Sequence, residues 1–162
     1  MRYLAIAGVG GSTFAFLFAT VGLVMDIPYF KVWYYCWAWW SLIIGAQSWL
    51  CLSGKNSLLY ENPKRFFALA AVSIPFWVFF EIVNFRLLNW RYVGLPESLS
   101  VRWAGYTLGY ATVLPAIETA AAFLRGYSLS LSLPSFAMGF LKTLGKCPRP
   151  FLGLLGIFLF MM

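Results

Sequence analysis

The chain is organised around one stretch, FWVFFEIVNFRLLNWRYVG, which runs from Phe76 to Gly94. It begins as a membrane helix and ends as a polar segment rich in tryptophan and tyrosine. Its ionisable and amide side chains lie inside or just beyond the apolar run: Glu81, Asn84, Arg86, Asn89 and Arg91. A charged residue at the centre of a membrane helix costs about 2.5–3.5 kcal/mol on insertion scales. This stretch therefore indicates either a function or a strong set of internal hydrogen-bond partners.

The composition around this stretch is that of a membrane protein. Of 162 residues, 62% are hydrophobic and only 10% are charged, and the mean hydropathy is +0.78. A soluble domain carries about 25% charged residues. The net charge of +7 is typical of a topology signal and of attraction to lipid headgroups. Nucleic acid is excluded as a partner because no basic helix or loop is long enough to follow a phosphate backbone.

Hydrophobic runs predict an all-α, polytopic integral membrane helical bundle in a single transmembrane domain, residues 1–162. The four-helix core occupies residues 1–125, with transmembrane helices over 4–25, 32–52, 66–88 and 103–124. A basic interfacial segment, 126–150, and a short apolar half-helix, 151–162, follow the core. Twelve residues of helix span only about 18 Å. Either this segment is a re-entrant or packed half-helix, or the chain is the front part of a longer protein.

The distribution of basic residues predicts the orientation. Eight lysines and arginines would lie on one side of the membrane: Arg2, Lys55, Lys64, Arg65, Arg125, Lys142, Lys146 and Arg149. Four would lie on the other: Lys31, Arg86, Arg91 and Arg102. Basic residues are enriched on the cytoplasmic side. The chain is therefore predicted to lie in a membrane with its N-terminus in the cytoplasm.

Two rows of small residues predict close helix packing. The first helix carries small side chains at steps of three and four: Gly8, Ser12, Ala15, Ala19 and Gly22. The fourth carries a second row: Gly105, Gly109 and Ala116. Small residues at this spacing let helix backbones approach each other in a membrane.

The stretch around Glu81 allows two interpretations. The functional one is an outward-facing polar pocket, with Glu81 as anchor or proton acceptor, Arg86 and Arg91 as anion clamps, and two aromatics as a lid. Its members are Trp77, Glu81, Asn84, Arg86, Asn89, Trp90, Arg91, Tyr92 and Arg102. The structural one is a hydrogen-bonded cap that ties the helix to the next loop. In that cap, Glu81 would be neutralised by an arginine or protonated by burial.

A second polar site is predicted near the opposite membrane face. Glu81 and Glu118 each lie about 22 Å from the start of their helices, but these helices run in opposite directions. The two carboxyl groups therefore cannot share a site as an acid–base pair. Gln47, on the second helix, falls at the depth of Glu118 and is its predicted partner.

The remaining residue types limit the chemistry. The chain has no histidine, which excludes His-ligated haem or chlorophyll. Its three cysteines, Cys36, Cys51 and Cys147, are widely spaced and predict neither a disulfide framework nor a metal site. We assign no catalytic residue, because no serine–base pair or metal cluster completes a constellation. A bound lipid, quinone or carotenoid remains open as a ligand.

The motif F-E-x-x-N-x-R-x-x-N-W-x-Y, from Phe80 to Tyr92, resembles one in a family of uncharacterised bacterial multi-pass membrane proteins. The resemblance covers about residues 35–125 and includes the later segment TVLPAIET. It implies that those proteins are tandem duplications, of which this chain corresponds to the front half. It implies an architecture and no activity.

Three functional hypotheses follow. The first is a non-catalytic accessory subunit of a larger membrane complex, respiratory or photosynthetic, in which the small-residue rows pack on other membrane subunits. The second is an enzyme or binding protein for lipid, isoprenoid or carotenoid that uses the outer polar pocket. The third is a small proton-coupled transporter with Glu81 and Glu118 as its two stations. The sequence favours a protein that is not an enzyme.

Overall fold

A computed structural model describes residues 1–127, and the regular structure of this part is entirely helical. The helices are α1 Arg2–Val24, α2 Pro28–Leu52, α3 Leu58–Glu61, α4 Pro63–Leu87, α5 Leu99–Tyr110 and α6 Val113–Gly126. The predicted all-α fold is thus confirmed for this part. The half-helix over 151–162 and nearly all of the interfacial segment over 126–150 lie outside the described residues.

Within residues 1–127, three stretches are long and apolar enough to cross a membrane: α1, α4 and the α5–α6 stretch Leu99–Gly126. They match three of the four predicted spans within a few residues. The helix α2 has 25 residues, a sufficient length, but it is not among the three. Its first half is crowded with tryptophan and tyrosine, which belong to membrane interfaces more than to the hydrocarbon core.

Local sequence signals set both ends of α4. Asn62 caps its start, with Oδ1 accepting a hydrogen bond from the backbone N–H of Arg65 at 3.0 Å, and Pro63 occupies the first helical position. The helix continues through Pro75 and ends at Leu87. Leu88 follows in the left-handed region at φ 53°, and its N–H bonds the Asn84 carbonyl at 2.8 Å. This left-handed residue turns the chain into the loop 88–98.

The first row of small residues packs α1 against α2. Ser12, Ala19 and Gly22 are buried. A Cβ added to Gly22 would collide with the ring of Phe30, and one added to Gly8 would collide with the hydroxyl of Ser48. Members of this row therefore pack against a helix of the same chain.

The span predicted over 103–124 corresponds to the apolar stretch Leu99–Gly126, which is interrupted at residues 111–112, where α5 ends and α6 begins. Pro115 has no N–H for the carbonyl of Ala111, which breaks the ladder of helical hydrogen bonds. Ser73 of α4 enters the gap: its hydroxyl donates to the carbonyl of Tyr110 and accepts from the N–H of Leu114 at 3.0 Å. Those two backbone groups would bond each other in an unbroken helix.

Candidate functional site

The carboxyl group of Glu81 lies in a cage of aromatic donors near the end of α4. Tyr92 donates its hydroxyl to Oε1 at 2.6 Å, and Trp77 donates its indole N–H to the same oxygen at 2.9 Å. The indole N–H of Trp90 lies 3.3 and 3.4 Å from the two oxygens. Trp77 reaches Glu81 from one turn earlier on α4, whereas Trp90 and Tyr92 come from the loop 88–98. The cage therefore fastens the loop to the helix.

Asn84 fastens the same loop through its backbone. Its amide donates to the carbonyl of Trp90 at 2.8 Å, and its Oδ1 accepts from the N–H of Trp90 at 3.2 Å. The amide nitrogen and the amide oxygen of Asn84 thus both bond the backbone of one residue, Trp90. The Asn84 side chain is buried, so these bonds replace water that the loop backbone would otherwise need.

The far end of the loop is held by Arg102 in the first turn of α5. Its Nε donates to the carbonyl of Pro96 at 2.6 Å, and one terminal nitrogen donates to the carbonyl of Glu97 at 3.1 Å. Loop 88–98 has no regular structure of its own, yet it is fixed at three points by α4 and α5.

Below this loop lies a cavity of about 540 Å³, hereafter the α2–α5 cavity. The start of α2, the aromatic end of α4, the loop and α5 all contribute to its walls. Its polar and charged members are Lys31, Tyr35, Cys36, Tyr92, Arg102, Tyr106 and Tyr110. Ligand pockets in proteins typically measure about 300–1,000 Å³ and combine apolar walls with a few polar groups.

The aromatic wall of the cavity is continuous. The rings of Tyr106 and Tyr110 stack at 5.7 Å and 8°, and Tyr92 lies 5.4 Å from Tyr106. Trp77 then links Tyr110 at 6.3 Å to Trp90 at 6.2 Å. These separations are those of favourable aromatic pairs. The wall is therefore formed by rings that hold each other in place without a ligand.

Glycine keeps one side of the cavity open. Gly105 lines it, and a Cβ added there would meet no atom within 4 Å. A Cβ added to Gly109 would lie 3.3 Å from the ring of Tyr35. The small-residue row Gly105, Gly109 and Ala116 is thus divided: Gly105 and the buried Gly109 both line the cavity, and Ala116 lies beyond the helix break.

The structure brings together most of the predicted pocket and rearranges its charges. Trp77, Trp90, Tyr92 and Arg102 line the α2–α5 cavity, with Glu81 and Asn84 behind them as loop anchors. Three predicted members do not line it and are exposed: Arg86, Asn89 and Arg91.

Within residues 1–127 no arginine pairs with Glu81, because the ion pairs there are Lys31 with Asp26 and Arg125 with Glu118. Of the two predicted ways to neutralise Glu81, pairing with an arginine is therefore wrong for Arg86 and Arg91. Their role as anion clamps stays a prediction, and neither side chain lines the α2–α5 cavity. Neutral hydrogen-bond donors on a well-anchored loop take the place of a cation.

Sequence reasoning missed Lys31, Tyr106 and Tyr110 as members of the site. Lys31 was assigned to a short loop, and the tyrosines to an ordinary helix. The tyrosines recur at a spacing of four, which places them on one helix face with Arg102. That spacing was the available signal.

The predicted inner pair of Gln47 and Glu118 does not form. The amide of Gln47 donates to the Thr119 hydroxyl at 2.9 Å, and its Oε1 accepts from the Ser57 hydroxyl at 2.7 Å and from the Leu59 N–H at 3.2 Å. Glu118 instead pairs with Arg125 at 2.9 Å on the surface. Adjacent helix residues point about 100° apart, so the inward position belongs to Thr119.

Glu81 and Glu118 lie toward opposite ends of the antiparallel pair formed by α4 and α6. Ser73 sits beside Tyr110 and Leu114, which fixes the level at which the two elements meet. Glu81 follows Ser73 toward one end, and Glu118 follows Leu114 toward the other. At 1.5 Å per residue their levels differ by roughly 20 Å. The predicted separation of the two carboxyl groups is consistent with this arrangement.

The loop side of the site affects the acidity of Tyr92. Burial, followed by the hydrogen bond to Glu81, raises the pKa of its phenol above the ordinary value of 10.0. Tyr92 is therefore a neutral donor to Glu81 at physiological pH. The site offers fixed donors, aromatic surface and two cations, which suit binding and positioning of a ligand.

Comparisons with known proteins add no relative. No protein-family model matches the chain, and neither curated proteins nor solved structures give a match. The resemblance to the bacterial membrane family stays a prediction. Within residues 1–127, no three side chains of histidine, cysteine, aspartate or glutamate cluster as a metal site would require.

Proposed function

We propose that this chain is a multi-pass membrane protein that binds an amphiphilic ligand in the α2–α5 cavity without carrying out chemistry on it. The observation that carries the proposal is the cavity itself, about 540 Å³ in volume and walled by self-supporting aromatic rings. Its aliphatic and aromatic lining suits a hydrocarbon part, and Lys31 and Arg102 suit a polar head. The carboxyl group of Glu81, behind the aromatic wall, is occupied by Trp77, Trp90 and Tyr92.

We propose that α2 also spans the membrane, which gives four spans in total, and that this membrane is a bacterial inner membrane. The support is the length of α2 and its place between α1 and the connecting segment 53–62, which contains α3. An N-terminus in the cytoplasm is supported by Arg2, Lys55, Lys64 and Arg65 at one end of the helices. This orientation places the cavity near the outer leaflet.

The test uses two glycine substitutions that differ in location alone. Gly105→Leu places a side chain in the cavity, and Gly10→Leu places one on an open face of α1 outside it; neither new Cβ meets an atom within 4 Å. Both variants and the wild-type protein are purified from native membranes, and bound lipids are measured per chain by mass spectrometry.

We expect one amphiphile to be retained by the wild type and by Gly10→Leu and to fall about tenfold in Gly105→Leu. Circular dichroism shows whether all three remain helical. Equal retention by a folded Gly105→Leu protein would overturn the proposal.

A second candidate is an accessory subunit of a larger membrane complex, respiratory or photosynthetic. The observation that favours it is a groove of about 700 Å³ between α1 and α2, lined by small residues of α1 and by Trp33, Trp37 and Trp40. Gly8, Ser12 and Ala15 of the first small-residue row line this groove, whereas Ala19 and Gly22 are buried and do not.

Gly11 lines this groove, and an added Cβ there meets no atom within 4 Å. A subunit seated in the groove would be lost from the native complex in Gly11→Leu and kept in Gly10→Leu. If native mass spectrometry of the wild type shows the chain alone, this candidate is excluded.

A further inference from the structure

We infer that the ligand of the α2–α5 cavity carries an anionic, phosphate-type headgroup, which binds between Lys31 and Arg102. This inference rests on the proposed function, since it names the class of amphiphile for the same cavity. The two cations come from different helices and both line the cavity. A headgroup between them would have its hydrocarbon part against the aromatic wall.

The positions of the two cations are unusual for helices. Lys31 is the fourth residue of α2 and Arg102 is the fourth residue of α5, and neither helix has an acidic residue in its first turn. The first turn of a helix carries the positive end of the helix dipole, so acidic residues are favoured there and basic ones are disfavoured. Two helices thus add a lysine and an arginine where the backbone is already positive. An anion bound between the two residues reduces the repulsion among these positive charges at both helices.

Both cations are able to reach a headgroup. Lys31 pairs with Asp26 at 2.6 Å, but the two side chains are 49% and 81% exposed. An exposed ion pair of this kind contributes little, so a phosphate can compete with Asp26 for Lys31. Arg102 uses Nε and one terminal nitrogen on the loop, and its other terminal nitrogen makes no hydrogen bond within residues 1–127.

The acidic groups on this side do not oppose an anion in the cavity. Glu81 is turned to its three aromatic donors, and Glu97 is exposed on the loop with only its backbone carbonyl engaged by Arg102. None of Asp26, Glu81 and Glu97 lines the cavity. The wall that meets the ligand is therefore cationic and aromatic, which favours an anionic head over a neutral or cationic one.

The experiment measures binding of two matched pairs of lipids to the purified full chain in detergent. One pair is dioleoylphosphatidylglycerol and dioleoylglycerol, and the other is geranylgeranyl phosphate and geranylgeraniol. Within each pair the members differ in the phosphate-bearing head. The variants are Lys31→Gln, Arg102→Gln and the control Lys64→Gln, which removes an exposed cation at the far end of α4.

We expect the phosphate-bearing member of at least one pair to bind about tenfold more tightly than its neutral partner. Whichever of the two phosphate-bearing lipids binds more tightly identifies the ligand as a glycerolipid or an isoprenoid. Lys31→Gln and Arg102→Gln should each reduce this preference, and Lys64→Gln should leave it unchanged. Because Arg102 also anchors the loop, Lys31→Gln is the decisive variant.

The inference and the proposed function fail in different ways. If Gly105→Leu blocks binding but phosphate gives no preference, or Lys31→Gln leaves the preference intact, the headgroup inference is overturned and the cavity stands. If Gly105→Leu blocks none of the four lipids, the cavity itself is not the site and both are overturned.

Discussion

The hydroxyl of Tyr92 donates a 2.6 Å hydrogen bond to Glu81 across eleven residues of chain, and this contact shapes the roof of the α2–α5 cavity. Trp77 and Trp90 bond the same carboxyl group, so one acidic side chain organises three aromatics. Hydrogen bonds to a charged acceptor contribute about 1.5–3 kcal/mol each. Glu81 is therefore the principal side-chain anchor of the loop 88–98.

Replacing Glu81 by glutamine should release the loop. The amide oxygen can still accept from Tyr92 and Trp77, but a neutral acceptor holds these donors more weakly than a carboxylate does, and the amide N–H₂ faces the indole N–H of Trp90. We expect trypsin to cleave after Arg91, an exposed loop residue, several times faster in Glu81→Gln than in the wild type. Glu97→Gln is the control, because its side chain is exposed and makes no hydrogen bond within residues 1–127. Unchanged cleavage in Glu81→Gln would show that the carboxyl group does not hold the loop.

The raised pKa of Tyr92 predicts a pH dependence of loop docking. In the unfolded chain a tyrosine ionises near its ordinary pKa of 10.0, whereas in the folded protein burial and Glu81 keep Tyr92 neutral to higher pH. The stability that neutral Tyr92 contributes is complete below pH 10 and is lost as pH rises through the folded pKa. The difference in tyrosinate absorbance between wild type and Tyr92→Phe should therefore show a transition above pH 10.

Glu81→Gln provides the check on this assignment. Removing the carboxyl group removes one of the causes of the raised pKa, so the Tyr92 transition should move down toward 10. If the Tyr92 transition occurs at the same pH in Glu81→Gln as in the wild type, burial alone raises the pKa and the short hydrogen bond does not persist in solution.

The hydrogen bonds of Gln47 predict a strong dependence of stability on this residue. Its side chain is fully buried and bonds Thr119, Ser57 and the backbone of Leu59. Gln47→Leu would leave buried donors unsatisfied, at a cost of about 1–3 kcal/mol for each. We expect a clear loss of thermal stability in detergent, measured by circular dichroism.

The matched variant is Glu118→Gln. It removes an ion pair whose members are 64% and 38% exposed, so its effect should stay below about 1 kcal/mol. Equal destabilisation by Glu118→Gln and Gln47→Leu would contradict this arrangement and support the pairing of Gln47 with Glu118 that helix depth predicts.

Close packing of α1 on α2 predicts opposite outcomes at two glycines of one helix. Alanine at Gly22 would press its methyl group into the buried Phe30 ring, and overpacking of this kind costs about 1–3 kcal/mol. Alanine at Gly10 meets open space and should leave stability unchanged or slightly raised. Thermal unfolding of both variants tests the packing. Equal stability of the two would contradict it.

Local signals predicted the elements well. Asn62 and Pro63 mark the start of α4, Pro115 marks the disruption between α5 and α6, and the steps from Gly8 to Gly22 mark the packed face of α1. Each of these depends on backbone chemistry within one or two turns. The aromatic and acidic membership of the site also followed from a single continuous stretch, Trp77 to Tyr92.

Contacts that depend on loop conformation and helix register were not predictable. In the loop 88–98, neighbouring residues differ completely: Trp90 and Tyr92 turn to Glu81, while Arg91 between them is exposed. Lys31 joins Arg102 at the cavity because of how α2 lies beside α5, which no local pattern encodes. Gln47 meets Thr119 in place of Glu118 because one residue of helix rotation changes the partner.

Ser73 gives the fold a property that a continuous helix would not have. Its hydroxyl replaces the hydrogen bond between Tyr110 and Leu114. The end of α5 and the start of α6 are therefore each bonded to α4 instead of to each other. Substitutions along α5 can then alter the cavity without passing their strain to α6. As long as Ser73 is kept, residues on the α5 side of the interruption and residues on the α6 side can vary separately.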